Sequence, residues 1–136
     1  MNKIEESNQL MLDFKKIGKI ATGRKELVPV AIQNLDTSEV ILVAYTNEEA
    51  FTKSVKTRSL TLWSTSRNEL WEKGKTSGNT FELVEVYVNC EQNSLLYKVR
   101  PKKGGICHTK NRAEEPRNCF YRRLNLETFK LEYLDP

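Results

Sequence analysis

The chain has no apolar run approaching the roughly 18 residues that a membrane-spanning helix needs. Its first residues, Met1 to Asn8, are polar and acidic and hold no apolar signal core. No span and no leader are expected, and a cytoplasmic location is. Cysteine is scarce and odd in number, three among 136 residues. That argues against a disulfide framework in a chain that is not exported, and leaves metal binding, catalysis or plain burial as uses of the thiols. Histidine is scarcer still: His108 is the only one. There is no internal repeat and no low-complexity stretch, which speaks against solenoids and disordered tracts.

What is present is an ordinary soluble composition, 38% hydrophobic and 29% charged, in a length that suits a single domain spanning 1–136. Such a chain buries roughly two thirds of its unfolded surface, so an oligomer interface would help. Lys and Arg number 22 against 18 Asp and Glu, a net charge of +4. This mild excess suits an anionic ligand such as a nucleotide phosphate, or RNA. The plainer reading is a solvated surface.

Apolar spacing predicts a helix over Ile4 to Ile17. Val28–Gln33 and Val40–Tyr45 read as strands joined by a turn at Asn34-Leu35-Asp36. Thr46 and Glu49 have capping-box spacing, placing a helix from about Asn47 to Lys56. Ser59–Ser64 reads as a strand, and Ser64–Thr80 as a long polar loop. Phe81–Cys90 and Ser94–Arg100 form a second strand pair, with Val84, Val86, Val88 and Cys90 on one face. Pro101–Pro116 is a basic loop, Phe120–Leu124 a short strand, and the segment beyond Leu126 stays open. The sum is β-rich α+β with few short helices.

Three constellations carry chemistry. Cys90, Cys107 and Cys119 offer three thiolates, which would leave a fourth zinc position for water; their spacing fits no zinc finger, and buried or unpaired thiols are the alternative. His108, beside Cys107, is a fourth ligand, a general acid/base or a loop residue without a role. In the stretch from Trp63 to Gly78, hydroxyls and cations (Ser64, Ser66, Arg67, Lys73, Lys75 and Ser77) lie among glycines and two tryptophans. Such a segment can hold phosphate and stack on a base, or be a basic loop whose tryptophans pack in the core. Asn89, Glu91 and Asn93, spaced by two, present oxygens that suit Mg²⁺, although a polar hairpin turn explains them more simply.

Together these segments resemble the phosphoribosyl-AMP cyclohydrolase family of histidine biosynthesis. The likeness is carried by Ile41-Leu42-Val43-Ala44-Tyr45-Thr46-Asn47-Glu48-Glu49-Ala50, by Leu62-Trp63-Ser64-Thr65-Ser66-Arg67 and Glu69-Leu70-Trp71-Glu72-Lys73-Gly74-Lys75-Thr76-Ser77-Gly78, and by Asn89-Cys90-Glu91, Cys107-His108-Thr109 and Cys119-Phe120-Tyr121-Arg122. It runs in order over about residues 26–124.

The resemblance implies an intertwined homodimer with zinc shared between subunits, Cys90 from one chain and Cys107 with Cys119 from the other. It implies proton transfer by His108 and a nucleotide site that includes Trp63, Ser64, Ser66, Arg67, Lys73, Lys75, Ser77 and Gly78. The reaction implied is hydrolysis of the N1–C6 bond of the adenine ring: water attacks C6, and a proton delivered to N1 lets the bond break. Zinc would lower the pKa of that water from far above neutral to about 7.

Two departures stand out. The family's three aspartates around the first cysteine are here Asn89, Glu91 and Asn93, so their formal charge falls from −3 to −1 and a Mg²⁺ site is weakened or left to substrate phosphates to complete. Eleven residues separate Cys107 from Cys119, against about six in the family, an extension that costs little closure entropy. A pyrophosphohydrolase domain is not expected after Pro136. The alternatives are a divergent zinc hydrolase acting on another purine nucleotide, and a zinc-stabilised RNA-binding module.

Overall fold

The computed structural model describes residues 2–12, 14–15, 26–73, 80–102 and 105–136. Its core begins with a hairpin. β1 (Val28–Asn34) and β2 (Val40–Thr46) pair antiparallel. The Asn34 side chain closes the turn by accepting from the N–H groups of Asp36 and Thr37 at 2.9 and 3.1 Å. Branched residues at alternate positions of β1 put Val30 and Ile32 wholly inside.

Helix α1 (Glu48–Thr57) follows at once. Its N-cap is Asn47, whose Oδ1 accepts from Ala50 N–H at 2.9 Å. The expected capping box at Thr46 is therefore one residue early: Thr46 ends β2 and is buried. An asparagine placed to accept from N3 competes well with a threonine before it. Arg58 stops the helix in the left-handed region, φ 58°, donating back to Ser54 O.

β3 (Thr61–Ser64) and β4 (Glu69–Glu72) form a second hairpin. The stretch 64–80, expected as one long loop, thus holds a strand, and the described loop is the turn Thr65–Asn68. Asn68 takes φ 57° there, and only four residues of β4 carry any alternation. β5 (Phe81–Val88) and β6 (Leu95–Pro101) make the third hairpin. A register shift between Leu83 and Glu85 leaves Val84 without a partner. That bulge switches the inward face from Phe81 and Leu83 to Val86. Val84, at the bulge, is half-buried, as is Val86, with exposed Glu85 between them.

The strands form one sheet in the order β4-β3-β2-β1-β6-β5, antiparallel throughout except where β1 meets β6. The sheet curls until β5 touches the segment entering β3. Ser59 bridges Glu82, Leu60 N–H donates to Phe81 O at 3.1 Å, and Leu83 N–H donates to Arg58 O at 2.9 Å. Inside lie Val30, Ile32, Ile41, Leu60, Leu62, Phe81, Leu83, Tyr97, Val99 and Ile106. The expected β-rich α+β class is what is found, with one short helix among the described residues.

A small hairpin of β7 (Arg122–Leu124) and β8 (Leu131–Tyr133) closes the chain. The N-terminal segment lies against it. The helix expected over 4–17 is not formed by its described residues, which make turns, bends and an isolated bridge from Gln9 to Lys130. The carbonyls of Ile4, Glu5 and Ser7 accept from Arg122 and Tyr121 side chains. Of the apolar positions of the anticipated helix, Ile4, Met11 and Phe14 are exposed, Phe14 by 86%, Leu10 is half-buried, and Ile17 lies outside the described residues; little tertiary surface rewards helix formation there.

Candidate active site

β2 and β3 pair only at Tyr45 and Trp63. On one side of that contact α1 takes over: Ser54 Oγ donates to Thr61 O at 2.7 Å and accepts from Thr61 N–H at 3.0 Å. On the other side the loop 105–119 enters. A register shift in the β1–β2 ladder leaves Ile41 without a partner on β1, and its carbonyl accepts from Cys119 N–H at 2.9 Å. A backbone irregularity in β2 thus anchors the last thiol.

The loop folds back on itself. Gly105 N–H donates to Pro116 O at 3.0 Å, Cys107 N–H to Arg117 O at 2.7 Å, and Arg117 N–H to Thr109 O at 3.2 Å. The Asn111 side chain closes its tip by accepting from Ala113 and Glu115 N–H. Position 105 admits only glycine, because a Cβ there would sit 2.2 Å from Arg117 O. The eleven residues between Cys107 and Cys119 are therefore spent on a hairpin-like excursion that returns the second sulfur to the first.

The two sulfurs meet. Cys119 donates a hydrogen bond to Cys107. Cys107 Sγ also accepts from Thr109 Oγ1 at 3.1 Å and Thr109 N–H at 3.5 Å. These donors, the Cys119 thiol first, hold the Cys107 thiol well below its ordinary range, against partial burial. Cys119 is correspondingly held as the protonated partner, pushed up by that bond and by burial. His108 is exposed, and its Nε2 lies 2.7 Å from Glu5 Oε1. That contact raises its pKa.

These groups open onto a cleft of about 880 Å³ lined by residues 42–45, 63–67, 71, 73, 106–108 and 119. Trp63, Ser64, Ser66, Arg67, Lys73, Cys107, His108 and Cys119, singled out from sequence, all line it. Burial holds the Lys73 ammonium below its ordinary range, while the Cys107 charge pulls the other way. Lys75, Ser77 and Gly78 lie outside the described residues.

Cys90 is not in the cleft. It sits exposed in the turn between β5 and β6 with Asn89, Glu91 and Asn93. Among the described residues of one chain, no three His, Cys, Asp or Glu side chains gather as one ion would need. Asn89 and Asn93 serve the turn: Asn89 Oδ1 accepts from Asn93 and Ser94 N–H at 2.8 and 2.9 Å, and Asn89 Nδ2 donates to Asn93 Oδ1 at 2.6 Å. Thr109 and Glu5 were not singled out from sequence. Thr109 follows Cys107 by two residues and was open to notice; nothing local marks Glu5, 103 positions from His108.

The phosphoribosyl-AMP cyclohydrolase family model matches residues 42–121, which contain every residue that lines the cleft. The chain belongs to the phosphoribosyl-AMP cyclohydrolase family. A phosphoribosyl-AMP cyclohydrolase of Archaeoglobus fulgidus is 47% identical over 100 residues, 74% of this chain and 87% of the relative. One from Syntrophotalea carbinolica is 41% identical over 114 residues, 84% of this chain and 82% of its own. The histidine biosynthesis bifunctional protein HisIE of Thermus thermophilus is 45% identical over 108 residues, 79% of this chain and 48% of that protein. Glu5, by contrast, lies outside the matched span of this cyclohydrolase family member.

The donor set suits zinc. Two neighbouring sulfurs, with the Cys107 thiol held below its ordinary range, are the ligand type that zinc takes, and Cys107 and Cys119 would be two of its ligands.

Proposed function

We propose that the protein is a phosphoribosyl-AMP cyclohydrolase of histidine biosynthesis, opening the adenine ring of its substrate at N1–C6 as a cytoplasmic homodimer. The observation that carries the reading is the convergence of Cys107, Cys119 and His108 with residues 63–67 and Lys73 around one cleft, in a chain of this family. Cys107 and Cys119 would hold zinc with Cys90 of a second copy, since Cys90 is exposed and stands apart from the other two thiols within its own chain. Exposed apolar residues outside the cleft, Val40 and Val88 among them, support a partner chain. Bound zinc supplies an acidified water as the nucleophile.

The chain's own residues do the rest. Arg67 and Lys73 neutralise phosphate. Trp63 and Trp71 line the cleft where the base would lie. His108 Nε2 is engaged by Glu5, so Nδ1 is the nitrogen left to exchange protons with the substrate, a contribution of roughly 10²–10⁴-fold. Mg²⁺, where it takes part, would arrive with the substrate phosphates.

The test is turnover of phosphoribosyl-AMP followed by the absorbance change on ring opening, with zinc content measured in parallel. Turnover abolished by a zinc chelator, and loss of both metal and turnover in Cys107→Ser, are expected. Salt-sensitive RNA binding with no turnover would overturn the reading. A second reading, zinc hydrolysis of another purine nucleotide, is favoured by one observation: the Asn89 and Asn93 amides are occupied in closing their own turn. Stoichiometric zinc with no turnover of phosphoribosyl-AMP, even with Mg²⁺ added, would move weight to it.

A further inference from the structure

The residues that hold the N-terminal segment in place share one consequence. Ile4 O and Ser7 O accept from Arg122 Nη2 and Nη1 at 2.7 and 2.8 Å. Glu5 O accepts from Tyr121 Oη at 2.7 Å. Glu6 accepts from Arg117 Nη1 at 2.6 Å and from Tyr133 Oη at 2.9 Å. Asn8 O accepts from Leu131 N–H at 2.8 Å. Every residue from Glu5 to Ser7 is tied down through backbone or side chain, with ties on both sides of the Glu5 carboxylate. Arg117, the deepest of the anchors, is 4% exposed.

Among the described residues, this clamping reaches the cleft through the contact of Glu5 Oε1 with His108 Nε2 at 2.7 Å. An ordinary pair of exposed side chains contributes little, because both must be immobilised for it. Here the carboxylate is already aimed by its neighbours, so little of that entropy remains to be lost.

We infer that Glu5 is a positioning residue for His108: delivered by the clamped N-terminal segment, its carboxylate fixes the imidazole with the proton on Nε2 and the lone pair on Nδ1, turned toward the cleft. The chemistry is that of any carboxylate–histidine pair. A carboxylate cannot donate, so the nitrogen facing it must carry hydrogen, and the other nitrogen is left basic. The same carboxylate then faces the imidazolium that forms when Nδ1 takes a proton. Glu5 touches no reacting atom; it acts through the ring. The inference rests on the reading of His108 as the proton carrier, and it adds to the cyclohydrolase site a residue from outside the matched family span.

Because His108 is the only histidine in the chain, imidazole ¹⁵N shifts of untagged protein report on this ring alone. The experiment compares zinc-loaded wild type with Glu5→Ala and Glu5→Gln, at a pH where the ring is neutral. It reads the tautomer by ¹⁵N NMR, and kcat and KM for phosphoribosyl-AMP separately. Wild type should show one tautomer with hydrogen on Nε2, and Glu5→Ala a mixture of both. In Glu5→Ala kcat should fall roughly 10–100-fold, the range for loss of a partner that orients an active-site histidine, with KM within about twofold. Glu5→Gln, whose amide oxygen can still accept, should keep the tautomer and recover part of kcat.

Zinc content and thermal midpoint serve as the folding control, since the Tyr121 bond to the Glu5 carbonyl survives both substitutions. An unchanged tautomer ratio in Glu5→Ala, or an unchanged kcat, overturns the inference. If wild type itself does not turn over phosphoribosyl-AMP, the functional reading has failed; the tautomer comparison then still decides whether Glu5 sets the ring.

Discussion

The cleft has two walls built by different means. One is sheet: β2, β3 and β4 present Tyr45, Trp63 and Trp71 from ladders whose inner side is the core, with Leu60 and Leu62 wholly buried. The other is the loop 105–119, which belongs to no strand of the sheet but touches β2 through Cys119 N–H and Ile41 O and sends Ile106 into the core. It is held by its own backbone bonds and by Arg117, which reaches Glu6 and Asp135 O and stacks 4.4 Å from the Tyr121 ring. The first wall takes its position from burial across whole strands. The second takes it from Ile106 in the core and from a few directional bonds to segments far away in sequence. The cleft-lining aromatics sit on the cooperative wall. The thiols and histidine sit on the wall that local changes can disturb without unfolding the protein.

That division can be broken from either side. Leu62→Ala should cost about 2–5 kcal/mol of global stability, as for other fully buried leucines. Thermal unfolding measures it, and zinc retention below the transition should persist. Gly105→Ala should do the reverse. Its new methyl meets Arg117 backbone at 2.2 Å, a clash that cannot relax by rotating a side chain. Local overpacking costs about 1–3 kcal/mol, so the midpoint should fall by less than in Leu62→Ala, while metal binding and activity are lost. Equal losses of both properties in both variants would dissolve the distinction between the walls.

A finer probe stays within the second wall. Thr109→Val keeps shape but removes the Oγ1 donor 3.1 Å from Cys107 Sγ. The Cys107 thiol should rise toward its ordinary range, and zinc affinity should drop on the order of tenfold, as for lost outer ligand contacts. Competition with a chelator reads it, and an unaltered affinity would show that the Cys119 contact and the backbone N–H of residue 109 sustain the thiolate without the hydroxyl.

The same division governs what could be read in advance. The β1–β2 hairpin was legible because its alternation and its Asn-Leu-Asp turn report the same local physics that folds it. The helix was legible but displaced by one residue, because Thr46 and Asn47 both make good caps and only burial of Thr46 decides between them. β4 was hidden by its length: four residues of Glu-Leu-Trp-Glu carry too little periodicity to stand out from a polar stretch. The amphipathic spacing from Ile4 onward pointed to a helix that the described residues do not form, since Arg122 and Tyr121 claim its carbonyls. In the site, the thiols, His108 and the residues around Trp63 were marked by chemistry. Glu5 was not, because its role depends on a contact across 103 positions and no pattern around it differs from an ordinary acidic N-terminus.

The smallest expected effect concerns how the N-terminal segment is fastened to the second wall. The Arg117 guanidinium, helped by the Tyr133 hydroxyl, holds the Glu6 carboxyl below its ordinary value of 4.5. A depressed carboxylate pKa means that folding favours the ionised form. The stabilisation is therefore fully present above the unfolded pKa and is lost as the pH falls through the lower, folded value. The segment should accordingly loosen on acidification below about 4.5, while the sheet stays intact. The amide of Leu131, which donates to Asn8 O, reports the release in an NMR titration, and amides of β1 and β2 serve as the reference. In Glu6→Gln the same titration should lose this step. Were the Leu131 amide to hold its shift after Glu6 is protonated, the backbone bonds from Arg122 and Tyr121 would be sufficient, and the charge pair would be incidental to the fastening.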